Sequence, residues 1–222
     1  MKNLLEKIIY IFKLLKQGRL QYIWVLFIRT LYFKEVALGF RRNLEEKISR
    51  PKVLRNISTN VSITGEKDYF EDNINNGLIY LFQKCYVAKT KDAIPCARLW
   101  AIDSSQNEKL KNIWGETFPT LNQNEVLIEN VFTVPKFRGM GIIPAFIYDT
   151  CELIKNEGAK YAITFALASN NNTSRAFYYA GFHPYILREV KWLFFRKKVT
   201  FKEISPEFMD HFNKITRRMP RV

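Results

Sequence analysis

Apolar and polar positions between residues 125 and 182 predict four elements in succession. Residues 125–133 (EVLIENVFT) are rich in β-branched and aromatic side chains, which indicates a strand. Over residues 142–156 the apolar side chains recur at helical spacing, so this segment predicts an amphipathic helix. Residues 159–168 (AKYAITFALA) predict a second, buried strand, and residues 175–180 predict a short helix after it. The order is therefore strand, helix, strand, helix.

The turn between the first strand and its helix reads VPKFRGMGI, residues 134–142. The first N–H groups of a helix have no partner within the helix, and the helix dipole favours negative charge there. Glycines at 139 and 141 keep side chains away from those amides, and Arg138 adds a permanent cation. The turn therefore predicts an anion site suited to a pyrophosphate. Neither G-x-G-x-x-G nor a P-loop is present, so the dinucleotide and nucleoside triphosphate signatures are missing.

A second motif follows the second predicted strand, between residues 170 and 181. Asn170, Thr173, Phe177 and Gly181 fall at the spacing N-x-x-[AST]-x-x-x-[YF]-x-x-x-G. Together with the strand, V-P-x-x-R-G-x-G, helix and strand before it, this resembles the GNAT superfamily of acyl-CoA-dependent N-acetyltransferases. The resemblance covers residues 125 to about 182. It extends more weakly to antiparallel strands at 85–89, 97–102 and within 185–201.

The resemblance implies a mixed α/β fold (α+β, mixed sheet) of the GNAT-like acyltransferase kind. We expect the acyltransferase domain to span residues 55–205. Residues 1–54 are then a helical, basic amphipathic N-terminal extension, and residues 206–222 are a basic C-terminal tail.

The resemblance also implies how an acyl-CoA is held. Acetyl-CoA, or another acyl-CoA, would lie with its pyrophosphate on the turn and its pantetheine arm along the strand before it. A main-chain N–H near Phe132 or Thr133 would polarise the thioester carbonyl. Asn170 would either bond the CoA arm or cap the helix that follows it. The full set of implied cofactor-binding residues is Phe132, Thr133, Val134, Arg138, Gly139, Met140, Gly141, Ile142 and Asn170.

Two residues are the candidates for proton transfer. Glu129 lies on the strand before the turn, where the family often places an acid. Partial burial there would raise its pKa and suit it to general-base catalysis; a surface carboxylate or ion-pair partner is the alternative. Glu125 faces the same side if the strand is regular. Tyr178 is the candidate proton donor for the leaving thiolate.

Three departures from the family pattern bear on that chemistry. Ile143 stands where the family has Gly or Ala, and Pro144 follows it. Phe177 occupies the position of the usual Tyr, and a shift of one residue to Tyr178 turns the side chain by about 100°. Three alternatives follow: a neighbouring tyrosine substitutes, water substitutes, or catalysis is impaired. His183, just after the second motif, is more typical of a turn histidine packed on the core than of a catalytic base.

Composition narrows the remaining chemistry. The chain has 222 residues, 47% of them hydrophobic, which is ample for a core. Cys85, Cys96 and Cys151 are scattered and form no C-x-x-C, so we expect buried thiols in a reducing compartment. With only two histidines, His183 and His211, there is no ligand set for zinc, and no metal is expected.

The N-terminus contains two apolar runs, residues 3–16 and 20–33, separated by Gln-Gly-Arg. Neither run reaches the roughly 18–20 apolar residues of a membrane span, and no signal-peptide cleavage site follows. Either a helical hairpin packs on the core or on a second subunit, or a basic helix lies on an anionic membrane. The predicted location is cytoplasmic, with peripheral attachment to the inner face of the membrane as an open alternative.

The formal net charge of +14 is concentrated in clusters at 41–42, 188–191, 196–198 and 217–221. These clusters are solvated faces, or they attract CoA phosphates, anionic lipid or RNA. No RNA-recognition motif or helix-turn-helix is present, so nucleic acid is disfavoured as a partner. The aromatic residues Trp192, Phe194, Phe195 and Phe201 favour a core or dimer-interface role over a substrate cage.

We therefore predict direct acyl transfer, first of all acetyl transfer, from CoA to a small-molecule amine without a covalent enzyme intermediate. An amino sugar or an envelope precursor fits the apolar N-terminus, and a homodimer is an open possibility. Two alternatives remain. The first is an acyl-carrier-protein-dependent, lipid-forming N-acyltransferase. The second is a catalytically degenerate binding module of the same fold.

Overall fold

The computed structural model describes Trp24, Ile28 and residues 31–53, 60–64, 78, 81–82 and 84–217. The predicted N-terminal helices therefore lie largely outside the described residues. Eight strands are present in this part of the chain: β1 Tyr32–Asn43, β2 Asn60–Thr64, β3 Cys85–Lys89, β4 Pro95–Asp103, β5 Glu125–Thr133, β6 Tyr161–Leu167, β7 His183–Leu193 and β8 Arg196–Lys202. Four α-helices have bounds within the described residues: α1 Asn107–Trp114, α2 Ile142–Asn156, α3 Asn171–Tyr179 and α4 Pro206–Thr216.

The chain divides into two units. The larger comprises residues 37–187 and 202–222, and the smaller comprises residues 1–36 and 188–201. In the larger unit the strands lie in the order β2-β3-β4-β5-β6-β1-β7. There β5 and β6 are parallel, whereas the β2/β3, β3/β4, β4/β5 and β1/β6 pairs are antiparallel. In the smaller unit β8 lies beside β7. The predicted mixed α/β fold is confirmed.

The elements around the candidate site agree closely with the sequence pattern. Strand β5 and helix α2 have the predicted bounds, and β6 is shorter than predicted by two residues at its start and one at its end. Helix α3 begins at Asn171 rather than at residue 175. The reason is local: the Asn170 side chain accepts a hydrogen bond from the Thr173 N–H and so starts the helix earlier.

Strand β1 corrects the prediction of a helical extension through residue 54. Residues 32–43 are extended and pair antiparallel with β6, from Ala37↔Leu167 to Asn43↔Tyr161. The middle of β1 lies between two other strands, and Ala37 to Phe40 are buried there. A strand covered on both faces reads as a continuous apolar run, which periodicity cannot separate from a helix. The predicted C-terminal tail likewise contains a helix, α4, which buries Phe212 and Ile215.

Several predicted surface charges are in fact buried in ion pairs. Arg42 is only 1% exposed, donates to Glu152 Oε1 at 2.8 Å and lies over the Tyr148 ring. Arg188 is also buried and is 3.5 Å from Glu35 Oε1. Conversely, Phe194 and Phe195 are exposed, which contradicts the core alternative for these two residues, while the dimer-interface alternative stays a prediction. All three cysteines are free and buried, as expected.

Candidate active site

Strand β5 separates from β6 part of the way along its length. The parallel pairing runs from Glu125↔Tyr161 to Leu127↔Ile163. Beyond this point β6 continues to pair with β1 as far as Leu167, and β5 continues to pair with β4 as far as Thr133. Strand β5 thus stays paired with β4, and β6 stays paired with β1, while the pairing between β5 and β6 ends. A gap therefore opens between the second halves of β5 and β6, and one edge of β5 faces it.

A β-bulge marks the place where β5 turns away. Trp100 lies opposite Glu129 and Arg98 lies opposite Phe132, so β5 has one more residue than β4 over this interval. Within it, Asn130 has a left-handed backbone with φ of +53°. Asparagine tolerates this conformation better than other residues with a Cβ atom. The sequence signal is an asparagine inside an otherwise strand-forming run, and the sequence analysis missed it.

The backbone of β5 after the bulge favours one of the two predicted N–H donors. The Val134 N–H donates to Cys96 O at 3.0 Å, toward the β4 side. Peptide groups alternate between the two sides of a strand, so the N–H of Thr133 faces the opposite side, toward the gap. Phe132 shares the direction of Val134. The geometry therefore favours Thr133 over Phe132 as the donor that faces the gap.

The turn into α2 is left without side-chain caps. Gly139 and Gly141 have φ of +74° and +71°, in the left-handed region that glycine adopts without strain. Gly141 is the N-cap residue of α2, and no side chain bonds to the first turn, which contains no acidic residue. The exposed Arg138 donates through Nε to Thr133 O at 3.3 Å. An uncapped helix start with an adjacent guanidinium is a general anion site.

The two departures after the turn alter its chemistry in different ways. Pro144 lies in the first turn of α2 and has no N–H, so the donors of this region are the amides from Gly139 to Ile143. Ile143 is half-buried, whereas its neighbour Ile142 is buried in the core. Met140 is half-buried between the two glycines. The turn thus keeps an uninterrupted run of five amide donors.

Glu129 is half-buried on β5, immediately before the bulge. On the neighbouring strand Arg98 is 2% exposed, and its guanidinium lies 4.7 Å from the Trp100 ring and 5.8 Å from the Phe132 ring. Burial lowers the pKa of Arg98 from its usual value. An arginine inside the otherwise apolar β4 run was the available signal, and the sequence analysis did not use it.

Glu125 has a structural role at the start of β5. Its Oε2 accepts hydrogen bonds from the Asn122 backbone N–H at 3.0 Å and from Asn122 Nδ2 at 2.8 Å. Its Oε1 is 3.0 Å from Arg41 Nη2. These contacts hold the turn that precedes the strand, so Glu125 is engaged at the end of β5 away from the bulge.

The aromatic residues of α3 take different environments. Phe177 is 2% exposed, and its ring centroid lies 5.9 Å from that of Phe40 and 5.4 Å from that of Phe182. Tyr178 is half-buried and makes edge contacts with Phe212 and His183, at 5.7 and 6.1 Å. The Tyr179 hydroxyl is buried and has no hydrogen-bond partner among the described residues. The usual tyrosine position is therefore a core phenylalanine, with two hydroxyls next to it.

Asn170 fulfils one of its two predicted roles in the structure. Its Oδ1 accepts from the Thr173 backbone N–H at 3.1 Å, which is an N-cap. The cap uses the oxygen, so the Nδ2 group can still donate to another acceptor. Because Asn170 is exposed and follows β6, that group lies at the strand end where β5 and β6 have separated.

Two absences hold for the residues that the structure describes. No three His, Cys, Asp or Glu side chains among them are grouped so as to hold a metal ion. None of their helices has the length and apolar character needed to cross a membrane.

Comparison with known proteins agrees with this geometry. The family model of the acetyltransferase (GNAT) family matches residues 62–182, which is more than half of the chain. The chain therefore belongs to the GNAT acetyltransferase family. Among curated protein sequences, none matches it.

Two solved structures illustrate the shared fold. One is a GNAT-family acetyltransferase from Colwellia psychrerythraea, at 14% identity and a TM-score of 0.50, with 78% of this chain and 61% of that chain covered. The other is a GCN5-related glucosamine N-acetyltransferase region of a fungal multi-domain GH3 β-N-acetylglucosaminidase. There the identity is 10% and the TM-score 0.52, over 77% of this chain and 22% of that chain. The chain spans less than two thirds of the length of these structures, and identities this low show the fold alone.

Proposed function

We propose that this protein transfers an acyl group, in the first instance an acetyl group, from CoA directly to the amine of a small-molecule acceptor. The observation that carries the proposal is the separation of β5 from β6 next to an uncapped, glycine-led start of α2. The Thr133 N–H that faces the gap and the helix N-terminus together offer hydrogen-bond donors to an amide-containing arm and to a pyrophosphate. Family members use an acyl-CoA in this way.

The residues fit that co-substrate on two counts. No acidic side chain occupies the first turn of α2, and a Cβ atom at Gly139 would meet nothing within 4 Å, so the turn is open to an incoming anion. In our proposal the amides from Gly139 to Ile142 and the Arg138 guanidinium bind the pyrophosphate. Val134, Thr133 and Phe132 form the strand edge beside the pantetheine arm, and Asn170 Nδ2 donates to the same arm.

Three groups share the proposed chemistry. Glu129 removes a proton from the acceptor ammonium or amine, directly or through water, because a neutral amine is the nucleophile. The Thr133 N–H stabilises the negative charge that develops on the thioester oxygen. Tyr178 delivers a proton to the departing sulfur. Glu129 and Tyr178 thus each transfer one proton, and the Thr133 N–H stabilises one developing charge.

Binding of CoA can be tested by thermal unfolding and calorimetry with CoA, acetyl-CoA and longer acyl-CoAs. A ligand at one hundred times its Kd stabilises the folded state by about 2.7 kcal/mol. Loss of a charge-assisted bond in Arg138→Ala should weaken binding by about 1.5–3 kcal/mol. Lys136→Ala, on the same turn and also exposed, is the matched control. Absence of stabilisation by any CoA species would support the carrier-protein donor instead.

Catalysis is tested by release of free CoA in the presence of candidate amines. Glu129→Gln keeps the side-chain volume and removes the base, so kcat should fall by about 10²–10⁴-fold while acyl-CoA still binds. Glu125→Gln is the control for a neighbouring carboxylate with a structural role. If CoA binds but no amine elicits turnover, the degenerate binding module becomes the better description.

For the acceptor we propose only a chemical class, an amine-bearing sugar or envelope precursor. An amino sugar or an amine-bearing envelope precursor is compatible with the basic surface, whereas a polyamine would be repelled by the net charge of +14. Glucosamine and its phosphorylated form are therefore the first acceptors to test. A preference for the phosphorylated sugar, lost at high salt, is the expected result.

The cytoplasmic location, peripheral attachment through the N-terminus and a homodimer also remain proposals. The apolar, lysine-rich residues 3–16 support the attachment. Co-sedimentation of the intact chain and of a chain lacking residues 1–18 with anionic vesicles tests it. Light scattering gives the oligomeric state. Equal sedimentation of the two chains would remove the N-terminus from the membrane hypothesis.

A further inference from the structure

The turn between β7 and β8 has an unusual backbone for its residues. Leu193 ends β7 and Arg196 begins β8, so Phe194 and Phe195 form a two-residue connection. Both have positive φ, +44° and +65°. Left-handed dihedrals at both central positions belong to the hairpin turn that Asn-Gly normally occupies, because large side chains disfavour them. Phe194 and Phe195 therefore occupy turn positions at which the backbone favours asparagine and glycine.

These phenylalanines point into solvent. Phe194 is 71% exposed, Phe195 is 59% exposed and the adjacent Leu193 is 54% exposed. We call residues 193–198 the hairpin tip. Three consecutive large apolar side chains on a strained turn do not stabilise the core, and an exposed apolar patch of this kind marks a contact surface.

Along the sequence, the charges next to the phenylalanines are of one sign. Arg196, Lys197 and Lys198 follow the phenylalanines directly and are exposed. No Asp or Glu occurs from residue 190 to residue 201. The nearest carboxylate in this part of the sequence, Glu189, already holds Lys191 at 2.9 Å and Lys34 at 3.0 Å. The tip therefore combines an apolar end with the exposed cations Arg196 and Lys198, whereas Lys197 between them interacts with Glu35 and Arg188.

The N-terminal part of the chain reaches the fold beside this tip. The Phe194 N–H donates to Leu31 O at 2.9 Å. Tyr32, the first residue of β1, is 68% exposed, which adds an interfacial aromatic next to the turn. Leu31 and Tyr32 therefore lie beside the hairpin tip.

We propose that the hairpin tip is a membrane contact, with Leu193, Phe194 and Phe195 in the headgroup and upper acyl region of an anionic bilayer. Arg196 and Lys198 then meet lipid phosphates at the level of the headgroups. Charge complementarity selects this occupant. A second copy meeting tip to tip would place the cations of two tips together, and a neutral bilayer would leave the cations without counter-charges.

The first variant removes the aromatics and keeps the turn. Phe194→Asn with Phe195→Gly introduces the residues that this turn type prefers, so the fold should be retained. Binding of the full chain is measured by co-sedimentation with vesicles of phosphatidylcholine alone and of phosphatidylcholine with phosphatidylglycerol. We expect the wild-type chain to bind the anionic vesicles and the double variant to bind them at least about tenfold more weakly. Ile113→Asn, an exposed apolar side chain on α1, is the matched control and should bind normally.

The second variant tests the two cations and does not depend on the turn. Arg196→Gln with Lys198→Gln should lower the partition coefficient by about fivefold for each charge, and high salt should abolish the difference. Lys109→Gln with Lys155→Gln removes two charges elsewhere and should have a smaller effect. Unchanged binding of both tip variants would overturn the proposal, even if the N-terminus binds lipid. Failure of the wild-type chain to bind anionic vesicles would overturn it too. So would tip variants that no longer form a dimer but still bind vesicles as the wild type does.

Discussion

At the scale of single residues, two sets of left-handed positions bear on the proposals. Gly139 and Gly141 adopt that conformation at no cost and open the turn before α2. Asn130, Phe194 and Phe195 adopt it with side chains present. The first marks the bulge that parts β5 from β6, and the other two present the apolar tip. Left-handed residues with side chains thus lie at the candidate site and at the proposed membrane contact, and one more, Ala93, lies in the turn between β3 and β4.

Asn130 allows a direct test of the bulge. Replacement by valine places a β-branched residue at φ of +53° and should reduce the free energy of unfolding by about 1–2 kcal/mol. Replacement by glycine should cause no loss, because glycine adopts the same dihedrals freely. Urea denaturation of both variants measures the difference. Equal stability of the two variants would show that the backbone at this position relaxes.

Tyr178 and Tyr179 form a matched pair for the proton-donor question. Tyr178→Phe removes the proposed donor, and kcat for acyl transfer should fall by about 10²-fold while acyl-CoA affinity is unchanged. Tyr179→Phe removes a buried hydroxyl without a described hydrogen-bond partner, so activity should persist and stability should be equal or higher. The reverse pattern would transfer the role to Tyr179. If neither variant loses activity, water is the proton donor.

At the scale of elements, the sequence predicted the strand-turn-helix-strand core because each piece carries a local signal. Strand β5 is β-branched, α2 has helical periodicity, and the turn between them contains glycines. Strand β1 has no such signal. Its neighbour β6 is more than a hundred residues away in sequence, and its buried middle is apolar on both faces. The site residues on β5 were predictable, whereas the bulge at Asn130 and the buried Arg98 depend on pairing between strands.

The packing of β1 depends on one glycine. A Cβ atom at Gly39 would lie 2.5 Å from Ile186 Cγ2 and 2.8 Å from Phe165 Cε1. Gly39→Ala should therefore lower the free energy of unfolding by about 1–3 kcal/mol. Ile186→Ala removes the closer contact, so the double variant should be more stable than the sum of the single effects by at least about 0.5 kcal/mol. Chemical denaturation of the four proteins measures this coupling. Strict additivity would mean that the strand shifts to accept the methyl group.

At the scale of the whole molecule, the net charge of +14 is not spread evenly. In the interior, two arginines are paired with carboxylates and two thiols stay neutral. Arg42 and Arg188 are buried beside carboxylates, and burial raises the pKa of Cys96 to about 11 and that of Cys151 to about 12. Arg196 and Lys198 at the tip keep their charge at the surface, whereas burial and the neighbouring Arg188 lower the pKa of Lys197. Positive charge is therefore available to anionic partners at particular places and not uniformly.

The buried thiols predict how stability responds to alkaline pH. Burial is the largest cause of the raised pKa of Cys151, so the folded state retains its proton while the unfolded chain releases it above about pH 9. The stabilising contribution is complete below about pH 9 and is lost as pH rises toward about 12. Near pH 11 the loss from this group should be about 2–3 kcal/mol.

Urea unfolding of wild-type, Cys151→Ala and Ile147→Ala proteins at about pH 8 and about pH 11 measures this loss. Cys151→Ala should lose less stability between the two pH values than wild type, and Ile147→Ala, a buried non-titrating control on α2, should lose as much. Parallel losses in all three would show that the alkaline transition arises from other groups.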